Sequence, residues 1–198
     1  MLDPLAHPHP FNRLTTWLDE HLATSKLKHP TACVLSTVGL DGFPNARNVA
    51  LKEFSVPYLF ITGAINTRKG LEIAEDPKVA VTFWWEETAR QIRIQGKATQ
   101  ITFEKANFYF SERPKEAQAL SVVSAQGAAL TSTGELEQKH NKMLETYKDT
   151  PILRPENWGG YKINPNRVEF LEFKDSRFHE RLLYTKNKEG WNAVRLQP

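Results

Sequence analysis

Basic residues in this 198-residue chain gather where β-rich runs end and where helices begin. Arg68 and Lys69 follow Thr67 at the start of a short predicted helix. Free backbone N–H groups and the positive end of the helix dipole favour an anion there. Cations at that end oppose the dipole, but a phosphate monoester would outweigh this, since each charge-assisted hydrogen bond contributes about 1.5–3 kcal/mol. The alternative is that both side chains face solvent. Arg47 and Lys52 flank the apolar positions of a predicted strand five residues apart, which strict alternation sends to opposite faces unless a bulge intervenes. Tyr109 and Arg113 fall four apart on one face of a helix end just before Pro114, a pair open to a second anion or to solvent. In Arg177-Phe178-His179-Glu180-Arg181, three cationic or titratable side chains alternate, so an extended segment points all three the same way. A solvated edge would mix signs, so the pattern favours a ligand surface. Gln91 lies in a run of strong strand formers, and its carboxamide can pair with a planar heterocycle that shows both a donor and an acceptor.

These residues need a scaffold, and the hydrophobic pattern supplies one. Phe11, Leu14, Trp17, Leu18, His21 and Leu22 recur at helical spacing and predict an amphipathic helix over 11–25 behind a proline-rich tail, 1–10, expected to be mobile. From Ala32 the texture turns to short β-rich runs, ACVLSTV, NARNVALKEF, YLFIT, KVAVTFWW and RQIRIQGKATQITF, read as a meander of about five strands. Between the third and fourth, Asn66 or Thr67 caps one short helix that stops before Pro77. Helices follow over 103–112 and 115–123, split by Pro114, and over 135–147. Further strands start at Trp158, Arg167, Arg181 and Trp191. With no repeat or linker, the simplest architecture is one α+β domain over 1–198, built on an antiparallel barrel or curled sheet with flanking helices.

Composition removes whole classes of function. A formal charge of +3, 25% charged residues and 40% hydrophobic ones describe a mildly basic globular chain with a real core. The lone cysteine, Cys33, cannot form an intrachain disulfide or a CxxC zinc site and fits a reducing compartment. The acidic, proline-containing opening is unlike a signal peptide, and no apolar run approaches a membrane span, so a cytoplasmic protein is expected. The ten glycines form no GxG, and no phosphate loop or GxSxG elbow is present. Scattered histidines argue against a metal site, and nothing matches a nucleic-acid-binding motif.

The segments RNVALK (47–52), TRKG (67–70), RQIRIQGKA (90–98), YFSERPKEAQ (109–118), SAQG (124–127), WGGYKI (158–163), RFHER (177–181) and RLQP (195–198), in that order, resemble the pyridoxamine 5′-phosphate oxidase family of FMN-dependent enzymes. Each is weak alone, but eight in register are specific. The resemblance runs from about Asp3 to Pro198. It implies a split β-barrel of the FMN-binding type, a homodimer with FMN in clefts between subunits, and a dimerisation and substrate segment over about 150–198. By the same resemblance Arg47, Thr62, Thr67, Arg68, Lys69, Gln91, Gln126 and Arg181 would bind FMN. Lys52, Tyr109 and Arg113 would hold the substrate 5′-phosphate, and Arg177 and His179 would cover and orient the pyridine ring as the catalytic pair. The expected reaction moves a hydride from the C4′ carbon of pyridoxamine or pyridoxine 5′-phosphate to the flavin, with O₂ reoxidation giving peroxide. Three positions depart from the family pattern: Ala117 and Gly127 stand where serine is usual, and Leu171 where tryptophan is usual. They keep open a relative of the phenazine-biosynthesis type acting on another ring, or a flavin or pyridoxal-phosphate binding protein without turnover.

Overall fold

The computed structural model describes residues 2–3 and 7–198. Helix α1 (Pro10–Thr24) is followed by β1 (Ala32–Val38), β2 (Pro44–Ser55), β3 (Tyr58–Ala64), α2 (Arg68–Glu75), β4 (Lys78–Trp85) and β5 (Arg90–Gln100). Three helices, α3 (Phe103–Ser111), α4 (Lys115–Val123) and α5 (Thr133–Thr146), precede β6 (Trp158–Glu172), β7 (Glu180–Lys186) and β8 (Trp191–Leu196). All strand pairs are antiparallel. The order β3-β2-β1-β4-β5-β6-β7-β8, with an added β3–β6 pairing, closes six strands into a barrel and leaves β7 and β8 as an extension.

The alternating runs bury one face each, as period-two patterning requires. Cys33 and Leu35 from β1, Val79, Val81, Phe83 and Trp85 from β4, and Ile92 and Ile94 from β5 fill the interior. Helix α1 caps this core: Trp17 meets Phe170 edge-on at 5.2 Å, and His21 stacks on Trp85 at 4.5 Å. A second core, under α3 to α5, joins Phe60, Ile101, Ala106, Tyr109, Phe110, Ala119, Ile152 and Trp158.

Two expectations about connectivity need correction. The first five strands are not a simple meander, because β4 pairs with β1 and not with β3. Helix α2 carries the chain across the barrel, and the freed edge of β3 is taken by β6. The runs at Trp158 and Arg167 form one 15-residue strand, β6. Pro165 reads as a breaker, but it sits at a register shift opposite Gly96, where its missing N–H breaks no regular ladder. Gly96 is required there, since a Cβ would lie 2.4 Å from the Asn164 carbonyl oxygen.

Of the tail, Met1, Pro4, Leu5 and Ala6 lie outside the described residues. Leu2 is buried, its carbonyl accepts from Arg195 Nε at 3.1 Å, and the His7 carbonyl accepts from the Tyr184 hydroxyl at 2.7 Å. No helix among the described residues is long and apolar enough to cross a membrane, and none of their His, Cys, Asp and Glu side chains group in threes that could hold a metal.

Candidate functional site

A buried carboxylate organises the start of α2. Glu72 has no exposed surface and accepts from Thr37 Oγ1 at 2.6 Å, Asn45 Nδ2 at 2.5 Å, Arg47 at 3.1 Å and Arg68 Nε at 2.9 Å. Burial alone would push its carboxyl up, but these four donors more than offset that and hold it below the usual glutamate range. Register explains the gathering: Thr37 of β1 stands opposite Asn45 of β2, and Arg47 lies two residues on along the same face. Arg68 also pairs with Asp41, in the β1–β2 turn, at 2.8 Å. Thr67 holds the N-cap position of α2, yet its hydroxyl donates to the Ala64 carbonyl at 3.0 Å and does not cap the helix.

Lys69 is different. Its half-buried ammonium donates to Thr67 Oγ1 at 3.1 Å and to the Ala64 carbonyl at 3.3 Å, and among the described residues no carboxylate pairs with it. Burial, then the neighbouring Arg47, lowers its pKa. Gly70 lets α2 sit this close to the end of β3, because a Cβ there would fall 1.9 Å from the Ile65 carbonyl oxygen.

Against the same β3 end lies a cavity of about 360 Å³. Thr62, Arg113, Ser121, Gln126 and Trp158 are in its wall. Arg113 lies beyond α3, between the helices, and is half-buried, which depresses its pKa. It stacks over the Trp158 ring at 5.0 Å and donates to Ser121 Oγ at 2.6 Å. No carboxylate among the described residues pairs with it. Tyr109 and Arg113 therefore do not share a helix face: Tyr109 is buried in the second core, and its hydroxyl donates to Glu53. Lys105 joins the same carboxylate at 3.2 Å. A bulge between Leu51 and Glu53 displaces Lys52, whose ammonium lies 5.5 Å from the centre of the Tyr109 ring.

The remaining expected residues lie elsewhere on the chain. Gln91 of β5 stands opposite Leu171 of β6, which stands opposite Arg181 of β7, so three adjacent strands present them in one row. Trp84, half exposed, continues the row on β4. Arg181 is fixed by buried Glu169 through Nε at 3.0 Å and NH2 at 2.6 Å. The alternation expected through 177–181 fails before Glu180. Arg177 has φ 66, in the left-handed region, so it turns where an extended chain would continue. Arg177 and His179 instead line a separate cavity of about 280 Å³ with Phe173 and Lys174. The backbone N–H of Lys174 donates to His179 Nδ1 at 3.1 Å, which leaves the proton of the neutral ring on Nε2. A larger cavity of about 490 Å³ among β1, β4, β5 and β6 contains none of the expected site residues.

Glu53, Glu72, Glu169 and Ser121 were not legible as site residues. The one available signal was the four-residue spacing of Arg68 and Glu72.

This arrangement can be set beside known proteins. Residues 18–147 match the family described as pyridoxamine 5′-phosphate oxidase, and residues 158–198 match the pyridoxine 5′-phosphate oxidase C-terminal dimerisation region. The chain belongs to the pyridoxamine 5′-phosphate oxidase family. It shares 38% identity over 193 residues with the pyridoxine/pyridoxamine 5′-phosphate oxidase of Nostoc sp., covering 96% of this chain and 89% of that one. The enzyme of the same name from Thermosynechococcus vestitus is 38% identical over 199 residues, covering 100% and 93%. Among solved structures, PhzG from Burkholderia lata, in complex with tetrahydrophenazine-1-carboxylic acid, superposes with a TM-score of 0.93 at 25% identity, covering 100% of this chain and 98% of that one. An FMN-binding relative from Nostoc punctiforme, at 18% identity and a TM-score of 0.77, shares the fold, covering 96% and 97%. The barrel is thus a split barrel of the kind seen in FMN-binding proteins, and the family's chemistry is that of a flavin-dependent oxidoreductase.

Proposed function

We propose that this protein is an FMN-dependent oxidase of pyridoxamine and pyridoxine 5′-phosphates, acting as a homodimer and requiring O₂. One observation carries the reading: Lys69 and Arg113, both half-buried and neither paired with a carboxylate among the described residues, both lie at the Thr62–Ala64 strand end. A half-buried cation without a counter-ion is costly unless an anion completes it. Two such cations suit two anionic groups, one on a cofactor and one on a substrate.

The donors present fit FMN. Lys69 and Thr67 would take its terminal phosphate, with Arg47 and Arg68 held alongside by Glu72. Thr62 and Gln126 would line the flavin from the same chain. When bound, FMN supplies the two-electron acceptor that O₂ regenerates. Arg113, stacked over Trp158 and bonded to Ser121 in the wall of that cavity, would anchor the substrate phosphate, with Lys52 as a further cation. The row Gln91, Leu171, Arg181 and the pair Arg177, His179 have no part in that cavity. In the homodimer they would come from the second copy, the dimerisation-region match supplying the reason to expect one. There Arg177 and His179 would lie over the substrate ring, His179 donating from Nε2. A cytoplasmic location belongs to this reading, supported by the free, buried Cys33.

A second reading, a ring oxidase of the phenazine-biosynthesis type, is favoured by the likeness to PhzG and by Ala117. Offering the flavin-loaded protein pyridoxamine 5′-phosphate and a tetrahydrophenazine carboxylic acid in parallel separates the two. Turnover of the phosphate ester alone supports the oxidase, and turnover of the phenazine alone supports the second reading.

A further inference from the structure

We propose that Ser121 supplies the hydroxyl of the substrate-phosphate subsite and is the positioning residue for Arg113. This rests on the oxidase reading. Three observations carry it. Ser121 lies one helical turn beyond Ala117 on α4, hence on the same face. Its Oγ accepts from Arg113 NH1 at 2.6 Å and donates to the Ala117 carbonyl at 2.9 Å, so it ties the cation to the turn of α4 that carries Ala117. Ser121 and Arg113 share one cavity wall with Thr62 and Gln126.

The hydrogen-bond inventory shows what an anion would find. A serine hydroxyl has one proton and two lone pairs. The Ala117 carbonyl keeps its helical N–H partner, so the Ser121 proton can turn from that carbonyl to a phosphate oxygen without leaving a buried acceptor unsatisfied. Arg113 spends one N–H on Ser121, and its other donors remain for the anion. Tyr109 offers no competing proton, because its hydroxyl is committed to Glu53. An anion held by Arg113 and Ser121 sits about one helical pitch, roughly 5.4 Å, from where a hydroxyl at position 117 would place it, towards the Ser124–Gln126 loop.

The test uses the flavin-loaded protein and follows the flavin absorbance while pyridoxal 5′-phosphate or unphosphorylated pyridoxal is titrated. Ser121→Ala should weaken the phosphate ester about tenfold, leave pyridoxal within twofold, and keep the FMN content of the wild type. Ser121→Thr, which retains the hydroxyl, should restore the ester affinity, and Ala117→Ser should change it less than twofold. Ester affinity within twofold of wild type in Ser121→Ala, or tightening by Ala117→Ser alone, overturns the proposal while leaving the oxidase reading intact if pyridoxamine 5′-phosphate is still oxidised. If Ser121→Ala loses the ester but the wild type oxidises no pyridoxamine 5′-phosphate, the subsite stands and the oxidase reading falls. A wild type that prefers pyridoxal to its phosphate overturns both.

Discussion

Arg47 reaches from the second strand to Glu72 on the helix after the third, a contact of 3.1 Å onto a carboxylate with no exposed surface. Thr37, Asn45 and Arg68 complete its shell, so the anion fixes two guanidinium groups where the cofactor phosphate is expected.

That contact has a pH signature. The folded Glu72 carboxyl lies below its ordinary value, so its contribution is fully present above the unfolded value of about 4.3 and is lost as pH falls through the folded value. Glu72→Gln should cost about 1–3 kcal/mol at neutral pH, since donors aimed at a charge lose it. Thermal unfolding of both proteins from about pH 6 down to about pH 3 should show the gap closing. A gap that stays constant over that range would assign the loss to packing.

Arg68 and Lys69 should differ in consequence although they are neighbours. Arg68 already faces two carboxylates, whereas none among the described residues pairs with Lys69. Lys69→Ala should therefore weaken FMN more than Arg68→Ala, and the double variant should lose about a hundredfold or more in affinity, two charge-assisted bonds being removed. Fluorescence titration of the flavin-free proteins reads this directly. A larger effect of Arg68→Ala would show that the phosphate displaces Asp41 and takes Arg68 as its principal partner.

The barrel was legible wherever residues near in sequence decide the outcome. Alternation in ACVLSTV and KVAVTFWW gave strands and their inward faces, and Trp17 and His21 at helical spacing gave α1. Pairing order was not legible, because β3 meets β6 about 100 residues later and no local pattern selects that partner. The site divides the same way. Motifs carried the cations, but Glu53, Glu72 and Glu169 act on side chains from other elements, and only folding brings them into reach. The left-handed turn at Arg177 also broke the alternation that Arg177, His179 and Arg181 suggested.

The separation of the Arg113 cavity from the Arg177 and His179 cavity predicts complementation between subunits. At substrate concentrations well below the KM that Arg113→Ala raises, Arg113→Ala and Arg177→Ala should each be nearly inactive. When the two are unfolded together and refolded, half of the dimers carry one variant chain of each kind, and each of these has one intact site, so about a quarter of wild-type activity should return. No recovery, in a mixture shown to exchange subunits, would place both arginines in one chain's site.

Cys33 is buried, and burial pushes its thiol up to about 12. In the folded protein it should resist an aromatic disulfide reagent at mildly alkaline pH and react fully once denaturant is added. Rapid reaction in the folded state would mean that β1 opens locally.

Oxidation of a phosphate ester is the reaction expected at a site whose cations await two anions. Its most direct test adds pyridoxamine 5′-phosphate to the flavin-loaded protein in air and measures aldehyde and hydrogen peroxide together. Equal amounts of pyridoxal 5′-phosphate and peroxide, with Arg113→Ala raising KM strongly at normal FMN content, are the expected result. Full FMN occupancy with neither product formed would contradict it.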